Sequence, residues 1–237
     1  MINAVDLKSL RADYQQHQPT TFVGDFELST TEITWLLTDD FALLCGVIAD
    51  QSIPAKRAWQ LPGNLQQRLG AEQFTPEWFA THETALAAAI KMKPALHRFP
   101  STMARNLASL GATITTQYQG QATALLTVPS YQELVARLQP ITGIGIKKIN
   151  ALLLILLLDK RQTITGLEAS QALFDVHLSR IITGLTGRST TAATATTFCQ
   201  QLDATCPARV SPYLWRLDRQ HKTLQDVIRQ QTKEAPQ

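Results

Sequence analysis

Long apolar runs are scarce in this chain. The longest, Ala151 to Leu158, is far too short to cross a bilayer. No cationic, apolar leader opens the sequence, so the expectation is a cytoplasmic, nucleoid-associated protein without a membrane partner. Cysteine is equally sparse. Cys45, Cys199 and Cys206 cannot all pair with one another, and none lies in a CxxC spacing, which reads as reduced thiols and not a disulfide framework. There is no internal repeat and no Gly/Ser-rich linker. With 44% hydrophobic and 17% charged residues the chain is not a disordered one. Strand signals are weak as well: only Thr20 to Leu28 shows partial alternation, enough for one short extended piece. These absences leave an all-α fold of one or two compact units.

Charge is unevenly spread. The net value of +3 says little about partners, but residues 1–40 hold seven carboxylates against two basic side chains, whereas residues 91–148 hold seven basic side chains against Glu133 alone. A positive middle is the expected footprint for a phosphate backbone. A solvated surface of uneven charge is the other reading.

Helix signals punctuate the chain. Asp39 or Asp40 can cap a helix through Phe41, Leu43, Leu44, Val47 and Ile48, and Pro54 opens another with Trp59. Thr75-Pro76-Glu77 starts a helix that turns Trp78, Phe79, Leu86 and Ile90 inward. Ser101 opens one through Met103, Leu107 and Leu110, ending at Gly111, and Ser130 caps Tyr131 to Leu138, which Pro140 stops. The threonine- and alanine-rich stretch from Ser189 to Thr197 reads as a loop, and Lys233 to Gln237 as a frayed tail.

The most informative segment is Leu138-Gln139-Pro140-Ile141-Thr142-Gly143-Ile144-Gly145-Ile146-Lys147-Lys148-Ile149-Asn150. Two glycines spaced by one residue allow backbone angles closed to other residues, and the loop opens onto a helix whose first amides are unpaired. Such a helix start, with two lysines in its first turn, suits an anion. Downstream, Phe174-Asp175-Val176-His177-Leu178-Ser179-Arg180 supplies a carboxylate in an apolar setting. Asp175 can be a plain helix N-cap or a functional acid, and the two uses are compatible.

These patches resemble the helix-hairpin-helix, Gly/Pro-rich, aspartate superfamily of DNA glycosylases, of which endonuclease III is a member. Ile141 to Asn150 is similar to that family's hairpin, Asp175 to Arg180 to its Asp-Thr-His-x-x-Arg stretch, and Leu43 to Gln51 to its early helix ending in Ala-x-Gln. Phe41 to Lys148, with Lys93-Pro94-Ala95-Leu96-His97-Arg98-Phe99-Pro100, resembles a less-characterised bacterial branch.

The resemblance implies two helical lobes with a cleft between them, one spanning 38–165 and the other joining 1–37 to 166–237. It implies removal of a damaged base by attack at C1′, with Lys147 as nucleophile and AP lyase, or else as a phosphate ligand, and Asp175 as the activating carboxylate. Gln51 would enter the minor groove or merely end a helix. Gly143, Gly145, Lys148, His97, Arg98 and Arg180 would touch the DNA backbone. Trp35, Trp59 and Tyr131 would line the base pocket or sit in the core. The two glycine carbonyls would hold a monovalent cation, as in the family. The four C-terminal cysteines of iron-sulfur relatives are missing, so no cluster is expected, and no second ligand accompanies His177 at a metal spacing. The expected partner is double-stranded DNA bearing a damaged base, met by a monomer. The rival from another class is a non-catalytic helix-hairpin-helix DNA-binding protein, which needs only the glycine loop. A helical protein-interaction module is a third.

Overall fold

The computed structural model describes residues 4–220, and every regular element among them is helical. Helix α1 (Ala4–Gln16) leads to a short 3-10 turn, Val23–Phe26, where the sequence predicts an extended piece. The cause is Asp159. Its carboxylate accepts the backbone amides of Phe22 (3.0 Å) and Val23 (3.3 Å), curling the segment into a turn.

Helices α2 (Thr30–Thr38) and α3 (Asp40–Ala49) come next. Ser29 and Glu32 close a capping box on the first, and Asp39 caps the second by accepting from Ala42 N at 2.9 Å, so Asp39 and not Asp40 is the cap. Every residue of α3 is buried. Asp40, the one charged residue among them, answers Lys160, whose ammonium also donates to Leu37 O at 2.8 Å. Beyond them lie α4 (Ala55–Leu69), α5 (Pro76–Thr81) and α6 (Glu83–Lys91). The single helix predicted after Thr75 is two, broken at His82. Phe79, Leu86 and Ile90 are buried as expected, while Trp78 is half-buried and stacks on His82.

Helix α7 (Pro100–Gln117) runs straight past Gly111, which does not end it. A Cβ at Gly111 would lie 2.5 Å from Pro76 O and 2.8 Å from Ala80 N. Glycine is there so that α5 can approach backbone to backbone, not to release the chain.

Helices α8 (Ala122–Leu126) and α9 (Tyr131–Leu138) precede the glycine loop, with Ser130 capping α9 as predicted. Helix α10 (Ile146–Leu154) continues into a π turn, Ile155–Asp159. Then come α11 (Val176–Thr186), α12 (Ala192–Leu202) and α13 (Val210–Arg219). The threonine-rich stretch expected as a loop is mostly the first turns of α12, because Thr191 and Thr194 cap it reciprocally. Tertiary packing of Ala195, Phe198 and Cys199 then outweighs threonine's modest propensity. The tail from Lys233 lies outside the described residues.

Two hydrophobic cores form. The larger gathers side chains from Phe22 to Leu173 together with Cys206 and Ala208. The smaller joins Leu10 and Tyr14 of α1 to α11, α12 and α13. Two long-range hydrogen bonds, Tyr14 Oη to Asp203 and Tyr213 Oη to Asp13, both 2.7 Å, fasten α1 to the C-terminal helices. Trp215 packs against both cores. No described helix is long and apolar enough to cross a membrane.

Candidate active site

The glycine loop is pinned by Ile141 and Ile144, both buried, so Gly143, Gly145 and Ile146 are left toward solvent. Only one of the two glycines is demanded by the backbone. Gly143 has φ 88°, and a Cβ there would sit 2.3 Å from Asn106 Nδ2. Gly145 has φ −102° and ψ 174°, extended backbone open to any residue, with nothing within 4 Å of its Cβ position. Gly145 is also the N-cap of α10 and offers no side chain to it, so the first-turn amides of α10 are uncapped.

Lys147 and Lys148 diverge from this turn. Lys148 folds back beneath the loop, where its ammonium donates to Ile48 O (2.7 Å), Gly143 O (2.9 Å) and Gln51 Oε1 (3.3 Å). All three of its protons are spent inside the protein, which corrects the expectation that Lys148 holds DNA phosphate. Burial is also what pulls its pKa down to about 8, assisted by Lys147 and opposed by Asp50. The glycine carbonyls expected to ligate a monovalent cation are engaged from within: Gly143 O by Lys148 and Gly145 O by Ile149 N at 3.1 Å.

Lys147 points the other way, half-exposed, with Nζ 3.6 Å from Asp175 Oδ2. Asp175 does what both readings of it ask. It caps α11 through Oδ1, which accepts from Leu178 N at 2.8 Å and from Trp215 Nε1 at 3.2 Å, while Oδ2 is left to Lys147. Two elements hold the approach to this meeting: buried Asn150 of α10 bonds Ile146 O and accepts the amide of Gln171 at 3.1 Å, and Ser211 of α13 accepts the amide of Leu173 at 3.0 Å. The segment leading to Asp175 is thereby held against the helix that carries Lys147.

Two cavities adjoin the pair. One, of about 240 Å³, is walled by Phe22, Phe26, Ala151, Leu173 and Trp215. The other, of about 600 Å³, runs along Gln51 to Pro54 and the glycine loop. Asp50, Ala55, Lys147, Asp175 and His177 line both and so mark their junction. A separate cavity of about 370 Å³ between α11 and α12, lined by threonines and Arg188, holds none of the predicted residues.

The remaining predictions divide. Gln51 is exposed at the rim of the larger cavity, and Ser52 beyond it adopts φ 59°. Arg98 is exposed, its guanidinium 5.3 Å from the Phe99 ring centroid. Arg180 is exposed but paired with Asp218, which also receives His177 at 3.0 Å. His97 does not face phosphate: it is buried, accepts from Phe99 N through Nδ1 and donates through Nε2 to Gln51 O at 2.9 Å. Burial lowers its pKa, and the two bonds fix the neutral tautomer. Trp59 and Tyr131 are core, and Trp35 packs on Phe74, so none of the three lines the pocket. Trp59 serves at one remove, stacked on Phe26 at 4.6 Å.

Sequence reasoning missed the aromatic wall of Phe22, Phe26 and Trp215. The only available signal was their aromaticity, since nothing local tells residues so far apart that they converge. Asp50, beside Gln51 in the sequence, joins the site as well. Half-buried at the end of α3, its carboxyl has its pKa raised by burial and by Asp175, against the pull of Lys147 and Lys148. Among the described residues no cluster of histidine, cysteine and carboxylates is suited to a metal ion. Comparisons with protein-family models, with curated proteins and with solved structures find no match to this chain.

Proposed function

We propose that this protein is a base-excision DNA glycosylase of helix-hairpin-helix type with an AP lyase step, its two hydrophobic cores corresponding to the two lobes of that fold, with Phe22 to Leu36 in the larger core and not, as expected, with the C-terminal helices. The observation that carries the reading is the approach of Lys147 Nζ to Asp175 Oδ2, 3.6 Å apart, at the mouth of an aromatic cavity beside the glycine turn. Phosphate would rest on the uncapped amides of α10, a duplex backbone would follow the larger cavity, and an extruded base would stack among Phe22, Phe26 and Trp215.

The chemistry follows from the pair. Asp175 accepts a proton from Lys147, whose free amine attacks C1′ as the bond to the base breaks and its electrons leave with the base. Until it takes up that proton, the Asp175 carboxylate faces the positive charge that gathers on the sugar as the bond to the base stretches. Ring opening gives a Schiff base between C1′ and Lys147 Nζ, O4′ leaving with the proton that Asp175 took, and Asp175, a carboxylate again, then takes a 2′ proton as the 3′ phosphate is expelled. Lys148, with its lowered pKa, looks at first the better nucleophile, but its three bonds to acceptors turn it away from this junction.

Borohydride trapping on a panel of lesion-bearing duplexes tests the proposal. Lys147→Gln should abolish the covalent adduct, and trapping that persists would move the nucleophile elsewhere. Asp175→Asn keeps an oxygen to cap α11, so the fold should survive while base release slows by about 10²-fold or more. Duplex binding with no base released across the whole panel would favour the non-catalytic DNA-binding alternative.

A further inference from the structure

Glycosidic cleavage as proposed above leaves one step without a donor: a base that is uncharged while attached to the sugar must gain a proton as it departs, or leave as an anion. The acid must lie where the C1′–N bond lies. With the base in the aromatic cavity and the sugar-phosphate along the glycine turn, that place is the junction of the two cavities, and the ionisable groups there are Asp50, Lys147, Asp175 and His177.

Three of the four are committed. Lys147 is the nucleophile and faces Asp175. Asp175 receives two N–H donors on Oδ1 and faces the Lys147 ammonium with Oδ2, so both of its oxygens are already engaged. His177 is turned through Nδ1 toward Asp218 and Arg180, with its side chain about half exposed. Asp50 differs from all of these. Among the described residues no donor reaches its carboxyl, although it sits at the end of a wholly buried helix and lines both cavities. A half-buried carboxyl with no bond from the protein is free to bond a ligand.

Resting on the glycosylase reading, we infer that Asp50 is the acid that protonates the departing base, and that the site is therefore built for bases carrying no charge, oxidised or deaminated ones, in preference to cationic alkylated purines. The step balances within the site. The C1′–N bond breaks with its electron pair on the base, the Asp50 proton moves to a ring nitrogen or carbonyl oxygen of that base, and Asp50 is left as a carboxylate. Lys148, which is not the nucleophile, is the positive group that steadies the new charge, and it already acts electrostatically on Asp50 in the free protein. Burial keeps the Asp50 carboxyl protonated to higher pH than an exposed one, which is the state the donor needs. A base already bearing positive charge leaves neutral without any proton, so it gains nothing from Asp50.

The test uses the full chain and its Asp50→Asn variant on duplexes with one uracil, hypoxanthine, 8-oxoguanine, 7-methylguanine or abasic site. In single turnover, Asp50→Asn should slow release of whichever neutral base the wild type removes by about 10²-fold or more, within the usual span for an acid catalyst. Any release of 7-methylguanine should be unaltered. Borohydride trapping at the abasic site needs no departing base, so the variant should match the wild type there, which also certifies its fold. The rate on the neutral base should fall as pH rises through the ionisation of Asp50, and the variant should lack that limb. Lys147, Lys148, Asp175, His177, Asp25 and Arg219 are the other charged or titratable groups around these cavities, and they remain in both proteins. Equal loss of trapping and release, unaltered release of the neutral base, or a wild type that removes only 7-methylguanine each overturns the assignment of Asp50 and leaves the glycosylase standing. A wild type that neither releases a base nor traps at the abasic site removes the glycosylase itself.

Discussion

Two adjacent lysines on the first turn of α10 have opposite fates. Lys147 has an open cavity and a carboxylate before it, while Lys148 is drawn under the loop by two carbonyls and an amide oxygen. The cost of that burial shows in the proton affinity of Lys148, which falls to about 8 from the 10.5 of a free lysine. Between these values an unfolded chain holds the proton that the folded chain has released, so this residue makes stability rise with pH across that window. The measurement is urea unfolding of the wild type and Lys148→Met at pH 7.5 and 9.5. The wild type should gain relative to the variant at the higher pH, and a difference independent of pH would mean that Lys148 is not buried as described. His97 misleads the sequence reader for a similar reason. A basic side chain in a sequence advertises charge, not direction, and both His97 and Lys148 are used to tie the end of α3 to the loops around it.

At the scale of elements, the glycine turn joins α9 to α10 with two glycines of different standing. Gly143 is required by its backbone and by Asn106, so any side chain there strains the loop twice. Gly145 is required by neither. Serine at that position would even be a preferred N-cap, so Gly145→Ser should alter unfolding free energy by no more than about 0.5 kcal/mol. If a phosphate must come close to the amides of α10, the same change should weaken duplex binding at least several-fold, read by fluorescence anisotropy. Unchanged affinity would separate the turn from DNA. Helix starts were the more legible ends, because Thr75, Ser130 and Asp39, the last as one of two choices, announce themselves by a side-chain oxygen three residues before the amide it bonds, whereas Ser101 does not open α7, which starts at Pro100 after an N-cap Phe99 that offers no such oxygen. Helix ends were less so: Leu138 before Pro140 ends α9 as expected, but the next case fails. Gly111 has the look of a stop signal and is instead a contact point, a distinction that depends on α5 lying across it.

For the molecule as a whole, the basic stretch of residues 91–148 predicts salt-sensitive association with undamaged duplex. Affinity should fall steeply between 50 and 200 mM salt, with a linear log–log slope that counts the phosphates neutralised. A slope near zero would take the phosphate backbone out of the interaction. The meeting of Lys147 and Asp175 was legible because each sits in a local pattern of its own, the lysine after a glycine turn and the carboxylate before a helix. The cavity beside them was not. Phe22 and Phe26 come from a turn that looks like a strand in the sequence, Trp215 from a helix near the other end of the chain, and their convergence depends on long-range packing that has no local period. The same holds for Trp59, whose aromatic character suggests a stacking surface, yet which lies one layer behind the ring that has that place.

The bond from Asp159 to the turn at Phe22 has a wider consequence. Asp159 closes the π turn that continues α10, so one rod bears the amine at its beginning and, at its end, the hook from which the turn of Phe22 and Phe26 hangs. On the glycosylase reading proposed above, strand cleavage and base choice would belong to opposite tips of a single element. On that reading, editing residues 20–28, a short strap on that hook, would retune the choice and leave the blade as it was.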